Sequence, residues 1–244
     1  LDEIALASNG DARSALNTLD IAAGLAREET GGREAIADAL QRKVLLYDKS
    51  GEEHYNLVSA LHKSVRSSDA DAALYWLARM MKAGEDRMYF ARRLVRMAIE
   101  DIGLADPRAV EQAIACMQTV HFLGIPEGDQ ALAQLTIYLA LAPKSDAAYQ
   151  ALNEVNATID STVAGPVPLH LRNAPTRLMK ELGYGRGYRH AHREQDAVTD
   201  MPCLPDSLAG AVFYRPAGRG FEQKLKERLD WLSQKRGRFP DATE

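Results

Sequence analysis

The chain has 244 residues, of which 46% are apolar and 26% charged, and its net charge is −4. This composition is that of a folded globular protein rather than a disordered one, and no apolar run reaches the roughly 18 residues of a membrane span. The negative net charge argues against a free-standing nucleic-acid-binding protein, because attraction to phosphates would need a local basic patch.

The start of the chain and its cysteines indicate a compartment. Leu1 is not followed by a basic and apolar leader, and Cys116 and Cys203 are too far apart to suggest a disulfide framework or a zinc site. We expect a cytoplasmic protein with reduced thiols, and we expect this chain to be a fragment of a longer one.

Apolar residues recur at three- and four-residue spacing along most of the first 160 positions, which predicts successive helices. Asp11 is a good N-cap for the first helix, and Gly51 separates the second from the third. The apolar stripes of these three helices are Ala12, Ala15, Leu16, Leu19, Ala22 and Ala23; Ile36, Ala39, Leu40 and Val44; and Tyr55, Val58, Leu61 and Val65.

The fourth predicted helix is apolar on almost every side. It lies between Ser68, which has the capping-box spacing to Asp71, and Gly84, a C-terminal stop. A helix without a polar face is buried either by its own domain or by another subunit. Aromatic, Met and Arg residues are enriched in interface cores, so burial by another subunit is as open an alternative as burial by the helix's own domain. The candidate interface residues are Tyr75, Trp76, Arg79, Met80 and Met81.

Four more helices are predicted before position 160. The fifth ends at Gly103, Asp106 and Pro107 open the sixth, Pro143 ends the seventh, and Ser145 caps the eighth. The stripes of the fifth, sixth and eighth are Ala91, Leu94, Val95, Ala98, Ile99 and Ile102; Val110, Ala113, Ile114, Met117 and Val120; and Ala148, Leu152, Val155 and Ile159.

Helical periodicity stops at about position 163. Pro, Gly and Tyr dominate up to about position 220, with one short helix between Pro175 and Gly183 and strand pairing near 211–216. A last amphipathic helix starts near Phe221. The predicted fold class is therefore all-α, with an irregular Pro/Gly/Tyr-rich segment before the last helix.

Two basic clusters are candidate DNA contacts. Arg92, Arg93 and Arg96 share one arc of the fifth helix, although Glu100 on the same arc favours an internally salt-bridged surface. The second cluster, at 184–193, interleaves cations with Tyr and His, as a single-strand platform does. A packed surface loop is the alternative. Its arginines are Arg186, Arg189 and Arg193.

Motifs of catalysis are weak in this sequence. The glycines of 183–187 follow a helix and fit neither a dinucleotide nor a phosphate-loop spacing. His190 and His192 lack a close third ligand, so no metal site is predicted, and a phosphoesterase using them would need bound metal. We assign no catalytic residue.

Several long segments resemble the C-terminal half of the MgsA/RarA family. They include "RRLVRMAIEDIGLADPRA" at 92–109, "YLALAPKSDAAY" at 138–149 and "VPLHLRNAPTRLMKELGYGRGY" at 167–188. The resemblance implies an AAA+ ATPase of the clamp-loader clade, which acts in DNA replication, recombination and repair at stalled or damaged forks. It also implies a homotetramer, contact with DNA and with replication proteins such as single-strand-binding protein, and a nucleoid-associated location.

The same resemblance assigns roles near the start. "GDAR" at 10–13 is similar to the sensor 2 motif, so Arg13 would reach the terminal phosphates of a nucleotide while Asp11 caps its helix. No phosphate-binding loop occurs in these 244 residues, so we expect no ATP hydrolysis by this chain alone. ATP and Mg²⁺ would belong to the intact enzyme.

The implied domains are the end of an AAA+ lid with a connecting helix at 1–46, a helical oligomerisation domain at 47–238 and a tail at 239–244. An independent helical adaptor protein is the alternative to this reading.

Overall fold

The computed structural model describes residues 52–163 and 165–237. Six residues nearer the start are also described: Asp2, Ile4, Ala15, Leu16, Leu19 and Ala23. The predicted second helix and the expected domain boundaries after positions 46 and 238 lie outside the described residues.

Within residues 52–163 and 165–237 the chain forms eight α-helices and no strand, which confirms the predicted all-α class. The prediction of strand pairing near 211–216 is wrong. A π-helical turn, Ala98–Ile102, and a 3-10 turn, Gly103–Ala105, follow α3. The helices are α1 (Glu52–Arg66), α2 (Ala70–Lys82), α3 (Arg87–Met97), α4 (Arg108–Leu123), α5 (Gly128–Leu141), α6 (Ala147–Ser161), α7 (Arg177–Glu181) and α8 (Glu222–Lys235).

The ends of α2 confirm one local prediction and correct another. Gly84, with φ of 77°, follows the helix as the predicted stop. The predicted capping box from Ser68 is wrong, because Ser68 has φ of 60° rather than the extended backbone of an N-cap. Asp69 has that backbone, and its carboxylate accepts the N–H of Ala72 at 2.9 Å.

The first of two compact units contains Leu1–Met97 and Gln112–Leu141. Helix α5 is central, because α1, α2 and α3 all pack against it. Helix α2 buries only one face. Side chains that are fully buried in this unit include Leu61, Leu77, Met80, Phe90, Leu94, Leu132 and Leu139.

A partly buried ion pair joins α3 to α5 in this unit. Arg87, the first residue of α3, donates from Nε and Nη2 to the two carboxylate oxygens of Asp129, at 2.8 and 2.9 Å. Its Nη1 donates to the backbone carbonyls of Met81 and Glu85, at 3.1 and 3.0 Å. One guanidinium therefore fixes the α2–α3 turn against the start of α5.

The second compact unit contains Ala98–Glu111 and Ala142–Glu244. A polar network in this unit centres on the fully buried carboxylate of Glu222, the first residue of α8. This carboxylate accepts hydrogen bonds from Ser145 Oγ at 2.6 Å, Tyr214 OH at 2.9 Å and the N–H of Ala217 at 2.8 Å. Ser145 Oγ also accepts the N–H of Ala147, at 3.2 Å, but the N-cap residue of α6 is Asp146 rather than the predicted Ser145.

Close backbone contact fixes the entry to α8. Gly220 has φ of 55°, and a Cβ there would lie 2.2 Å from the carbonyl oxygen of Ala105. The same carbonyl accepts the N–H of Phe221 at 2.7 Å. Only glycine fits this position, because a side chain would require both a strained backbone and a clash.

Tyr214 is expected to make stability fall at alkaline pH. Burial and then the hydrogen bond to Glu222 raise the pKa of Tyr214 above its ordinary value of about 10. Above that pH the unfolded chain has lost the phenolic proton and the folded chain retains it, so the free energy of unfolding decreases as pH rises. The contribution is fully present below about pH 10.

Urea unfolding at several pH values between about 8 and 11 measures this loss. Tyr214→Phe should show a shallower decrease above about pH 10 than the wild type. Equal slopes in the two proteins would contradict the assignment to Tyr214.

Candidate functional site

The predicted nucleotide-sensing residues Asp11 and Arg13 lie outside the described residues. Ala15, Leu16, Leu19 and Ala23, which follow them, are helical as predicted. Leu16 and Leu19 are exposed in this chain rather than buried as a predicted apolar stripe would be.

The candidate interface residues on α2 divide into two groups. Tyr75 is 59% exposed and its ring meets that of Trp76 edge-on at 4.9 Å. The guanidinium of Arg79 lies 5.6 Å from the Trp76 ring. Met81 is half-buried, whereas Met80 is fully buried within the single chain and cannot contact another subunit in this conformation. The surface formed by Tyr75, Trp76 and Arg79 is called the α2 patch below.

Two arginines of α3 lie close to an aromatic ring. The guanidinium of Arg93 lies 4.9 Å from the Tyr89 ring and that of Arg92 lies 6.0 Å from it. Arg92 is also 3.9 Å from the carboxylate of Asp86, and Arg96 is exposed. Asp86, which precedes this helix, therefore offsets part of the positive charge of this candidate DNA contact.

The predicted apolar stripe of α6 is exposed. Leu152 is 59% exposed, Ile159 60% and Val163, just beyond the helix, 91%, while Val155 is half-buried. The opposite side, with Ala147 buried and Glu154 half-buried, faces its own chain. The surface formed by Ala148, Leu152, Ile159 and Val163 is called the α6 seam below.

In the loop at 184–200, acidic residues at 194–200 offset part of the positive charge that the sequence of 184–193 predicts. Arg189 pairs with Asp200 and lies 3.9 Å from Glu194. Arg186 and Arg193 are exposed, and neither forms a side-chain ion pair or hydrogen bond with another described residue. The structure thus separates one locally neutralised arginine from two that face solvent.

A cleft of about 530 Å³ lies beside this loop, in the second unit. Its walls come from two segments, 170–174 and 185–190. The N–H of Gly185, in the second segment, donates at 2.9 Å to the carbonyl of Leu169, the residue just before the first segment. Sequence reasoning missed the first segment, because nothing local marks its contact with the second. The lining residues are His170, Leu171, Arg172, Asn173, Ala174, Gly185, Tyr188 and His190.

The part of the chain that the structure describes contains no group of three or more His, Cys, Asp or Glu side chains placed to hold a metal ion. His190 and His192 do lie together, with ring centroids 5.3 Å apart. None of the described helices combines the length and apolarity of a membrane span.

Comparison with known proteins covers nearly the whole chain. Residues 1–66 match a family described as "AAA C-terminal domain", and residues 67–233 match "MgsA AAA+ ATPase C terminal". The chain is 51% identical to Replication-associated recombination protein A of Coxiella burnetii, over 92% of this chain and 52% of that protein. The proteins of the same name from Escherichia coli (strain K12) and Bacillus subtilis are 45% and 39% identical, over 93% and 97% of this chain.

The chain spans about half the length of the curated relatives it matches, with 52% of the Coxiella and Escherichia proteins covered and 57% of the Bacillus protein. These relatives are named for replication and recombination, and the matching families are those of AAA+ ATPases.

Proposed function

The chain belongs to the MgsA AAA+ ATPase C-terminal family, and from that membership we propose that it is the assembly region of a replication-associated recombination ATPase. In this proposal four copies associate through it. The intact ATPase, of the clamp-loader clade, uses ATP and Mg²⁺, with Arg13 sensing the nucleotide, and acts on DNA at stalled or damaged forks in the cytoplasm. An independent adaptor protein is not favoured, since the similarity extends over 92% of the chain.

The α6 seam carries the assembly part of the proposal. Leu152 and Ile159 place two large apolar side chains on one exposed side of α6, and Val163, just beyond the helix, is exposed as well. Removing apolar surface from water contributes about 25 cal/mol per Å², so a second copy that covers this side gains stability. Exposed apolar side chains that gather in one region of a surface are typical of protein interaction sites.

A closed tetramer needs more than one contact surface per copy. Two self-complementary patches, or two different surfaces that meet each other, satisfy this requirement. The α6 seam and the α2 patch supply two candidates, and the α2 patch contains Trp, Tyr and Arg, the residues that most often dominate interface energies. Met80 has no part in the proposed contact, because it is buried in its own chain.

The DNA part of the proposal rests on exposed arginines. Arg186 and Arg193 face solvent in the second unit, and Arg96 is exposed on α3. Arg189 contributes least, since Asp200 and Glu194 already balance its charge. Single-strand-binding protein is a further proposed partner of the intact ATPase.

Light scattering tests the assembly. The wild-type chain should have four times the chain mass of 26.9 kDa at micromolar concentration. Leu152→Glu combined with Ile159→Glu should yield smaller species that remain helical by circular dichroism, because burying an unpaired charge at an interface costs several kcal/mol. Asn153→Glu is the matched control, since it adds a charge at an exposed position of α6 outside the seam.

A wild-type chain that runs as a monomer would contradict the proposed assembly. A double variant that remains tetrameric would instead move the contact away from the α6 seam, and Tyr75→Ala with Trp76→Ala would then test the α2 patch.

A further inference from the structure

The cleft beside the 184–200 loop has a volume within the range of about 300–1,000 Å³ that small-molecule sites occupy. Its walls are polar and aromatic, with two histidines, an arginine, an asparagine and a tyrosine. Such walls suit a ligand that offers both a flat ring and a negative charge.

Tyr188 and His190 supply aromatic rings to the lining of the cleft. Tyr188 is 53% exposed, and its ring meets that of His190 edge-on, with centroids 6.3 Å apart. The ring of His192 lies next to that of His190, with centroids 5.3 Å apart. An exposed tyrosine ring is a platform for a nucleobase, because every base has a face that can stack.

Arg172 supplies an oriented cation to the lining of the cleft. The Nε of Arg172 donates to the carbonyl of Val167 at 2.6 Å, and Nη1 donates to Tyr184 OH at 3.2 Å. Its guanidinium also lies 5.1 Å from the Tyr184 ring. These partners are uncharged, so they orient the guanidinium without neutralising it, unlike the carboxylates that pair with Arg189.

His170 is oriented by a similar contact. Its Nε2 lies 2.8 Å from the carbonyl oxygen of Pro202, and because a carbonyl only accepts, Nε2 is the donor.

We propose that this cleft binds one nucleotide unit, with its base stacked on Tyr188 beside His190 and its phosphate held by Arg172. The inference rests on the proposed DNA contact and names the residues and the ligand class of one site within it. A nucleotide unit can come from single-stranded DNA or from a free nucleotide, and the ring and charge requirements are the same for both.

Fluorescence anisotropy with labelled oligothymidylate of about 12 nucleotides tests the site in the 244-residue chain at low salt. Tyr188→Ala should weaken binding about fivefold or more, because a base–aromatic stack is lost. Tyr55→Ala is the matched control, since Tyr55 is also an exposed tyrosine but lies in the first unit, and it should bind as the wild type does.

Competition identifies the source of the nucleotide. Displacement of the oligonucleotide by thymidine monophosphate, and not by inorganic phosphate, would support the proposal that the cleft binds free nucleotides. If Tyr188→Ala weakens oligonucleotide binding but the monophosphate does not displace the oligonucleotide, the result would support the proposal that the cleft binds single-stranded DNA.

Photo-crosslinking locates the contact directly. An oligonucleotide that contains bromodeoxyuridine should crosslink at Tyr188 or His190. If Tyr188→Ala still binds the oligonucleotide and crosslinks form only at other residues, the cleft is not the binding site, although the proposed DNA contact of the chain would stand. A wild-type chain that binds none of the probes would overturn both.

Discussion

Replacing Glu222 with alanine is expected to lower the free energy of unfolding by about 3–5 kcal/mol. The carboxylate is fully buried and accepts hydrogen bonds from Ser145, Tyr214 and the backbone of Ala217. Removing it leaves three donors without their acceptor. Ser145 is buried and Tyr214 half-buried, and a buried donor without a partner costs roughly 1–3 kcal/mol.

The three donors come from different parts of the second unit, so the loss should affect more than α8. Ser145 precedes α6, whereas Tyr214 and Ala217 belong to the segment that leads into α8. We expect this segment to become accessible to proteases in Glu222→Ala under conditions where the wild type resists them.

Urea unfolding followed by circular dichroism measures the effect. Glu227→Ala is the matched control, because Glu227 is an exposed glutamate on the same helix, and its removal should change stability by less than about 0.5 kcal/mol. Glu222→Gln should fall between the two, since its amide keeps one acceptor oxygen but turns a nitrogen donor toward the other donors. A Glu222→Ala protein as stable as the control would show that the network does not hold the segment.

Replacing Arg87 with alanine is expected to cost about 3 kcal/mol. The Arg87 side chain is 13% exposed and that of Asp129 is 24% exposed, so solvent screens their charges only in part. Loss of Arg87 leaves the Asp129 carboxylate and the carbonyls of Met81 and Glu85 without their donor. The Asp129 hydrogen bond also raises the pKa of Arg87, so the guanidinium keeps its positive charge.

A double-mutant cycle with Arg87→Ala and Asp129→Ala separates the pair from its surroundings. We expect a coupling free energy above about 1 kcal/mol, because the two hydrogen bonds are short, parallel and charged. The surface pair Arg177–Glu181 on α7 is the comparison, since its side chains are 93% and 58% exposed. An exposed pair at this spacing contributes about 0.3–0.5 kcal/mol, so equal coupling in the two pairs would contradict the importance assigned to Arg87.

Local signals determined where helices begin and end. Gly84, Asp106 and Pro143 fall at helix boundaries as predicted, because backbone conformation and capping depend on neighbours within a few positions. The exceptions at Ser68 and Ser145 are of the same kind, since in each case the aspartate that follows the serine occupies the N-cap position. The family resemblance was also a property of the sequence itself, and the match to residues 67–233 confirms it.

The burial of individual stripe residues was predicted less well. On α4 the buried positions are Ala109, Ala113, Cys116 and Val120, whereas the predicted Val110 and Ile114 are exposed. Tyr55 on α1 is likewise exposed rather than part of the core. Periodicity identifies an apolar face, but the helix that packs against it decides which edge of that face is covered.

The sequence by itself therefore determined the all-α class, the helix boundaries and the family, since these follow from local spacing and from the order of long segments. The tertiary structure alone decided that Glu222 is the buried acceptor, because Ser145, one of its partners, lies 77 positions away. It also decided that the α6 seam is exposed and that 170–174 meets 185–190 in a cleft. Both depend on contacts between distant segments, and a single sequence carries no local signal for such contacts.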